Sequence, residues 1–193
     1  VEAMECLKPY VDEGREVICF SISGSMSTSG NVMRLAAEDL EAEKLVTVID
    51  SANLSTGIGH LVVEAAIMSE QGDDAETIAK EIEKLKPLVR ASFVVDTLTY
   101  LYRGGRCNAV AALVGGALKL HPKIVVENGA MDATKKYRGR LDHVILSYTK
   151  DMEEGLKTAK RDRVFITHSG CDRETVDKVR EYLEGLQHFD EVI

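Results

Sequence analysis

The chain contains no tryptophan and only three prolines, Pro9, Pro87 and Pro122, so neither a proline-rich linker nor a low-complexity tract interrupts it. Its four cysteines, Cys6, Cys19, Cys107 and Cys171, are widely spaced and form no C-x-x-C pair. That spacing signals neither a zinc site nor a disulfide framework, and reduced thiols of a cytoplasmic protein are the plain expectation. No stretch reaches the roughly 18 apolar residues of a spanning helix, and no basic-then-apolar leader opens the chain, so a soluble protein is expected. Basic residues are in deficit, 24 against 32 acidic, for a formal net charge of −8. A nucleic-acid or anionic-membrane surface needs a basic field, so any anionic ligand must be held locally. There is no P-loop, no Gly-x-Ser-x-Gly elbow and no second histidine at metal spacing from His168. The chain is therefore expected to lack a catalytic set of its own and to carry no metal or cofactor.

With 45% hydrophobic residues, 193 positions suffice for a real core in one or two domains. Short apolar runs alternate with amphipathic stretches, which is α/β patterning. A helix is predicted over 1–13 and a strand over Glu16–Ile22. A Ser/Gly loop, Ser23–Gly30, then leads into a helix over Asn31–Glu43. A second strand, Val46–Asp50, is followed by a loop, Ser51–Gly59, and a helix over His60–Gln71. Two strand–loop–helix units in series favour a parallel sheet, whose ligands sit beyond the carboxyl ends of the strands. Both loops should therefore open on one edge.

A charged helix over Asp73–Leu88 precedes a soft boundary near Arg90, dividing the chain into residues 1–90 and 91–193. The second part reads as a strand at Phe93–Asp96, a helix over Asn108–Leu120, and a strand at Pro122–Val126. An Asn128-Gly129 pair follows, of the kind that closes tight hairpins. Helices over Arg140–Gly155 and Asp172–Leu186 flank a strand at Arg163–Thr167. The order is mixed α+β.

Three segments carry candidate chemistry. Ser23–Gly30 presents five hydroxyls beside the free N–H groups of a helix N-terminus, which together satisfy a carboxylate or phosphate; an ordinary N-cap is the alternative. In Leu98–Arg106 two glycines stand between Arg103 and Arg106, either an anion site built from guanidinium forks or a helix C-cap with two solvated arginines. His168 ends the strand at Val164–Thr167, a ligand-facing position suited to a carboxylate or to proton transfer, with a surface or capping role as the alternative. The other histidines, His60, His121, His143 and His188, read as helix, turn or surface residues.

Taken together, these segments resemble the DegV family of bacterial fatty-acid-binding proteins, which includes the binding subunits of fatty acid kinase. Ile22–Leu35 (ISGSMSTSGNVMRL) is similar to the family's Ile-Ser-Ser-x-Leu-Ser-Gly-Thr loop, and Val48–Gly59 (VIDSANLSTGIG) to its Val-x-Asp-Ser segment. FVVDTLTYLYRGGR is the strongest likeness. Leu118–Pro122 (LKLHP) resembles Leu-x-Ile-Lys-Pro with His121 at the lysine, and Val164–Gly170 (VFITHSG) resembles the strand that ends in the family's histidine.

The resemblance implies a Rossmann-like parallel-sheet first domain and a mixed α+β second domain, with a ligand tunnel between them. It implies a long-chain fatty acid whose carboxylate is bound by Ser23 and His168, with Arg106 in support and Ser27 as a weaker candidate. A separate ATP-dependent kinase subunit would phosphorylate that carboxylate to an acyl phosphate that feeds phospholipid synthesis, this chain being the binder. Three departures stand out. The family's first strand, with its Thr-Ser-Gln-Pro-like loop, has no counterpart before Val1. Its closing His-x-Gly-Pro-Gly segment has none after Ile193, so both ends of the family fold are expected to be missing. Gly24 replaces a second serine. The rival readings are an enzyme acting on a small phosphorylated metabolite at the serine loop and a subunit that only docks a partner.

Overall fold

In the computed structural model, residues 1–105 and 120–193 are described. They form two compact units: residues 1–91 with 126–131, and residues 92–125 with 132–193.

The first unit is built on two parallel strands, β1 (Val17–Ser21) and β2 (Val46–Asp50), in register from Val17 opposite Val46 to Ser21 opposite Asp50. Side chains alternate across a strand, so each apolar strand feeds two faces. On one face Val17, Cys19, Val46 and Val48 pack with Leu7 of α1 (Glu2–Asp12) and Ala36 and Ala37 of α2 (Ser29–Asp39). On the other, Ile18, Phe20 and Ile49 meet Leu61 and Ala65 of α3 (Ser55–Glu70) and Ile78 and Ile82 of α4 (Ala75–Leu85). Continuously apolar strands covered by helices on both sides are what a parallel sheet requires. Helix α4 starts where the Asp74 carboxylate accepts the Thr77 N–H at 2.8 Å, and a 3-10 turn at Lys86–Leu88, holding Pro87, follows it.

The second unit holds most of a three-stranded sheet in the order β3 (Ala91–Val94), β4 (Leu120–Glu127), β5 (Ala130–Arg138). Asn128 and Gly129 close the β4–β5 hairpin with φ of +50° and +78°. Two positive-φ residues in a two-residue turn match the right-handed twist of the strands, and the tip of this hairpin belongs to the first unit. Short helix α5 (Thr99–Gly104) follows β3. Helices α6 (Leu141–Asp151) and α7 (Glu153–Leu156) follow the hairpin. Then come β6 (Arg163–Val164), α8 (Arg173–Gly185) and β7 (Glu191–Val192), with β6 and β7 parallel. Tyr148 of α6 donates its hydroxyl to the Ser92 carbonyl of β3 at 2.7 Å, which ties helix to sheet. Asp172 caps α8 by accepting the Thr175 N–H at 2.9 Å.

Several boundaries differ from expectation. Helix α3 begins at Ser55, so Thr56, Gly57 and Gly59 are helical rather than loop. Gly57 fits there because a Cβ would lie 2.0 Å from Asn53 Oδ1. The strand expected over Arg163–Thr167 is regular only at Arg163–Val164, with one further backbone bond from the Ile166 N–H to the Ile193 carbonyl at 2.7 Å. The helix expected over Asn108–Leu120 lies outside the described residues except for Leu120, which opens β4.

Candidate functional site

The parallel register puts the ends of β1 and β2 side by side, and the loops that follow them are stitched together. The Ser51 N–H donates to the Ser21 carbonyl at 3.2 Å, and the Ser23 N–H to the Asn53 carbonyl at 2.9 Å. Asp50, the last residue of β2, serves both loops. Its Oδ2 accepts the Gly24 N–H at 3.0 Å and its Oδ1 accepts the Ala52 N–H at 2.8 Å. Ser51, fully buried, donates its hydroxyl to the Asn53 carbonyl at 3.2 Å and accepts the Asn53 N–H at 3.1 Å. Ala52 holds φ of +50°, a conformation costly for a residue with a Cβ and kept here by those bonds.

Within the first loop Ser23 is 2% exposed. Its hydroxyl donates to the Gly129 carbonyl at 2.6 Å and accepts the Ser25 N–H at 3.3 Å. The Ser25 hydroxyl donates to the same carbonyl. Ser27 is half-buried, and its hydroxyl accepts the Ser29 N–H at 3.2 Å, leaving its own proton for another acceptor. The loop runs directly into the N-terminus of α2, where the first N–H groups have no intrahelical acceptor. Ser29 Oγ is buried there without a hydrogen-bond partner, a costly arrangement for a hydroxyl. Hydroxyls, helix-end N–H groups and an unsatisfied oxygen concentrated on one loop suit an anionic oxygen ligand. Burial pushes the nearby Cys19 thiol up, which keeps it protonated and a poor nucleophile.

The other expected residues are distributed differently. His168 stands exposed in the second unit, and Arg106 lies outside the described residues. Arg103 is exposed in the last turn of α5, which ends at Gly105 with φ of +66° and its N–H on the Tyr102 carbonyl at 3.0 Å. Gly104 is thus the last residue of α5 and Gly105 its left-handed C-cap. His121 is corrected: it is buried in β4, neither turn nor surface, and its Nδ1 lies 2.8 Å from the Val95 carbonyl. A carbonyl only accepts, so Nδ1 carries the proton. Asp50 and Gly129 were not among the residues expected at the site. A carboxylate at a strand end opposite a glycine is a usable local signal for Asp50, whereas nothing local marks a contact between residues 106 positions apart.

The family model described as "Uncharacterised protein, DegV family" matches residues 1–192. The chain belongs to the DegV family. A DegV domain-containing protein of Clostridium acetobutylicum is 34% identical over 149 residues, which cover 76% of this chain and 53% of that protein. One from Clostridium perfringens is 35% identical over 136 residues, covering 70% of this chain and 48% of its own length. The chain thus spans about half the length of the curated relatives it matches. Among solved structures, a DegV family protein from Thermus thermophilus, described for its fatty acid binding, superposes with a TM-score of 0.83 at 27% identity. That match covers 99% of this chain and 67% of that one. A stearic acid-binding protein from Eubacterium ventriosum gives 0.78 at 26% identity, covering 98% and 66%. The α/β DegV fold therefore extends along this chain.

Proposed function

We propose that this DegV chain holds a long-chain fatty acid, with the carboxylate received at the serine loop. The observation that carries this reading is the loop itself. Ser23, Ser25 and Ser27 lie on the loop that runs into α2, and Ser29 opens that helix, in a chain whose fold matches DegV proteins described as fatty-acid binders. Removing a carboxylate from water costs on the order of several kcal/mol unless donors replace the lost hydration, and this loop offers them. Ser23 is the main donor in this reading, Ser27 a further one, and His168 and Arg106 complete the set by their place in the family motifs.

The chain is then a cytoplasmic binding subunit and not a self-sufficient enzyme. A separate ATP-dependent kinase subunit phosphorylates the bound carboxylate, and the acyl phosphate goes on to phospholipid synthesis. The test is a titration of delipidated full-length protein with palmitate, followed by addition of such a kinase and ATP. Saturable one-to-one binding, weakened at least about tenfold by Ser23→Ala, and acyl phosphate formed only when both proteins are present are the expected results. Absence of saturable binding would sink the reading.

A further inference from the structure

Each of the two serines at the loop's mouth has one hydroxyl proton, and in this structure both protons go to a single oxygen. Ser23 donates to the Gly129 carbonyl at 2.6 Å and Ser25 donates to it as well, with the two hydroxyl oxygens 3.1 Å apart. A pair of O–H donors converging on one oxygen is the geometry that receives one oxygen of a carboxylate.

The turn is shaped for this contact. Gly129 has φ of +78°, and a Cβ on it would lie 2.7 Å from Ser23 Oγ, so both its conformation and its approach to Ser23 call for glycine. Ala52, held in positive φ by the Asp50 carboxylate, lines the same spot at 3.7 Å from that Cβ position.

We propose that the Gly129 carbonyl is a built-in stand-in for the ligand's carboxylate oxygen, and that an anionic head group binds by displacing it and releasing the Asn128–Gly129 turn. The inference rests on the fatty-acid reading and extends it, making Gly129 a positioning residue for the Ser23 hydroxyl. The exchange favours an ionised acid. A carboxylate is a stronger acceptor than an amide carbonyl, so the serine protons shift to it when both compete.

The experiment is hydrogen–deuterium exchange on full-length, delipidated protein with and without palmitate, with palmitate occupancy measured in the same samples. The backbone amides of residues 127–131 are expected to exchange about two- to tenfold faster when palmitate is bound, the equivalent of one lost hydrogen bond. In the Ser23→Ala/Ser25→Ala double variant they should exchange at the fast rate whether or not palmitate is added. Bound palmitate with unchanged or slower exchange at 127–131 overturns the displacement while leaving the binding reading intact. No palmitate binding to the wild-type protein overturns the binding reading, and the displacement with it.

Discussion

The Asp50 carboxylate and the Gly24 amide, 26 residues apart in the chain, meet at 3.0 Å across the ends of β1 and β2. A Cβ on Gly24 would stand 2.8 Å from Asp50 Oδ2, so the contact depends on glycine. Gly24 thus lets the loop be anchored from the end of β2. Gly24→Ala should push the carboxylate away and loosen the Ser23 loop. Asp50→Asn should release one of the two amides, since the new NH2 group cannot accept. Both variants are expected to weaken palmitate binding about three- to tenfold, the scale of one ordinary hydrogen bond, and to lower the melting temperature by a few degrees. Titration calorimetry checks this, and unaltered affinity would remove Asp50 from the site.

The α/β alternation was legible because β1 and β2 are short apolar runs whose two faces feed two cores, and the Asn128-Gly129 turn because its residue types tolerate positive φ. The start of α3 was not. Its Gly57 and Gly59 look like loop residues until the buried Asn53 side chain, pressed against Gly57, shows why a helix needs glycine there. His121 misled for a similar reason: its neighbour Pro122 suggests a turn, while the Val95 carbonyl that satisfies its ring comes from a segment 26 residues away. The clustering of hydroxyls on the loop before α2 was legible directly from the spacing of its serines. The loop's closest partner, Gly129, was not, because tertiary pairing alone brings it there.

In the second unit, Asp151 accepts hydrogen bonds from the Lys135 ammonium and from the Tyr137 hydroxyl, the latter at 2.7 Å. Those two donors hold its carboxyl below the usual carboxylate range, while burial and the Asp151 contact push the Tyr137 phenol up. A lowered folded-state pKa contributes stability that is present above the unfolded value of about 4 and is lost as pH falls through the folded one. Tyr137→Phe should therefore raise the Asp151 pKa and shrink the difference in stability between pH 7 and pH 3. Titration of Asp151 by NMR, paired with melting curves at both pH values, checks the direction.

Helices α4 and α8 both begin on an aspartate that accepts the N–H of a threonine three residues on, Asp74 with Thr77 and Asp172 with Thr175. Those hydrogen bonds lower both carboxyl pKa values. Asp172→Ala should lower the melting temperature at pH 7. Asp172→Asn, which still caps through its amide oxygen, should restore most of the loss and reduce the dependence on acid. Melting of the three proteins at pH 7 and pH 3 separates cap from charge.

Ile82 is fully buried between α4 and the sheet, whereas Leu88 is 69% exposed. Ile82→Ala should cost about 2–5 kcal/mol of unfolding free energy, and Leu88→Ala no more than about 0.5 kcal/mol. Urea denaturation of both variants measures the contrast, and equal losses would contradict the core assigned to the first unit.

The central claim is that an acyl carboxylate is received at the serine loop. Mass spectrometry of organic extracts from purified full-length protein tests it most directly, with Ser23→Ala and His168→Ala prepared in the same host. A long-chain fatty acid at one per protein, depleted in the Ser23→Ala sample, is the predicted result; extracts without fatty acid, or a stoichiometric small phosphate ester in its place, would contradict it.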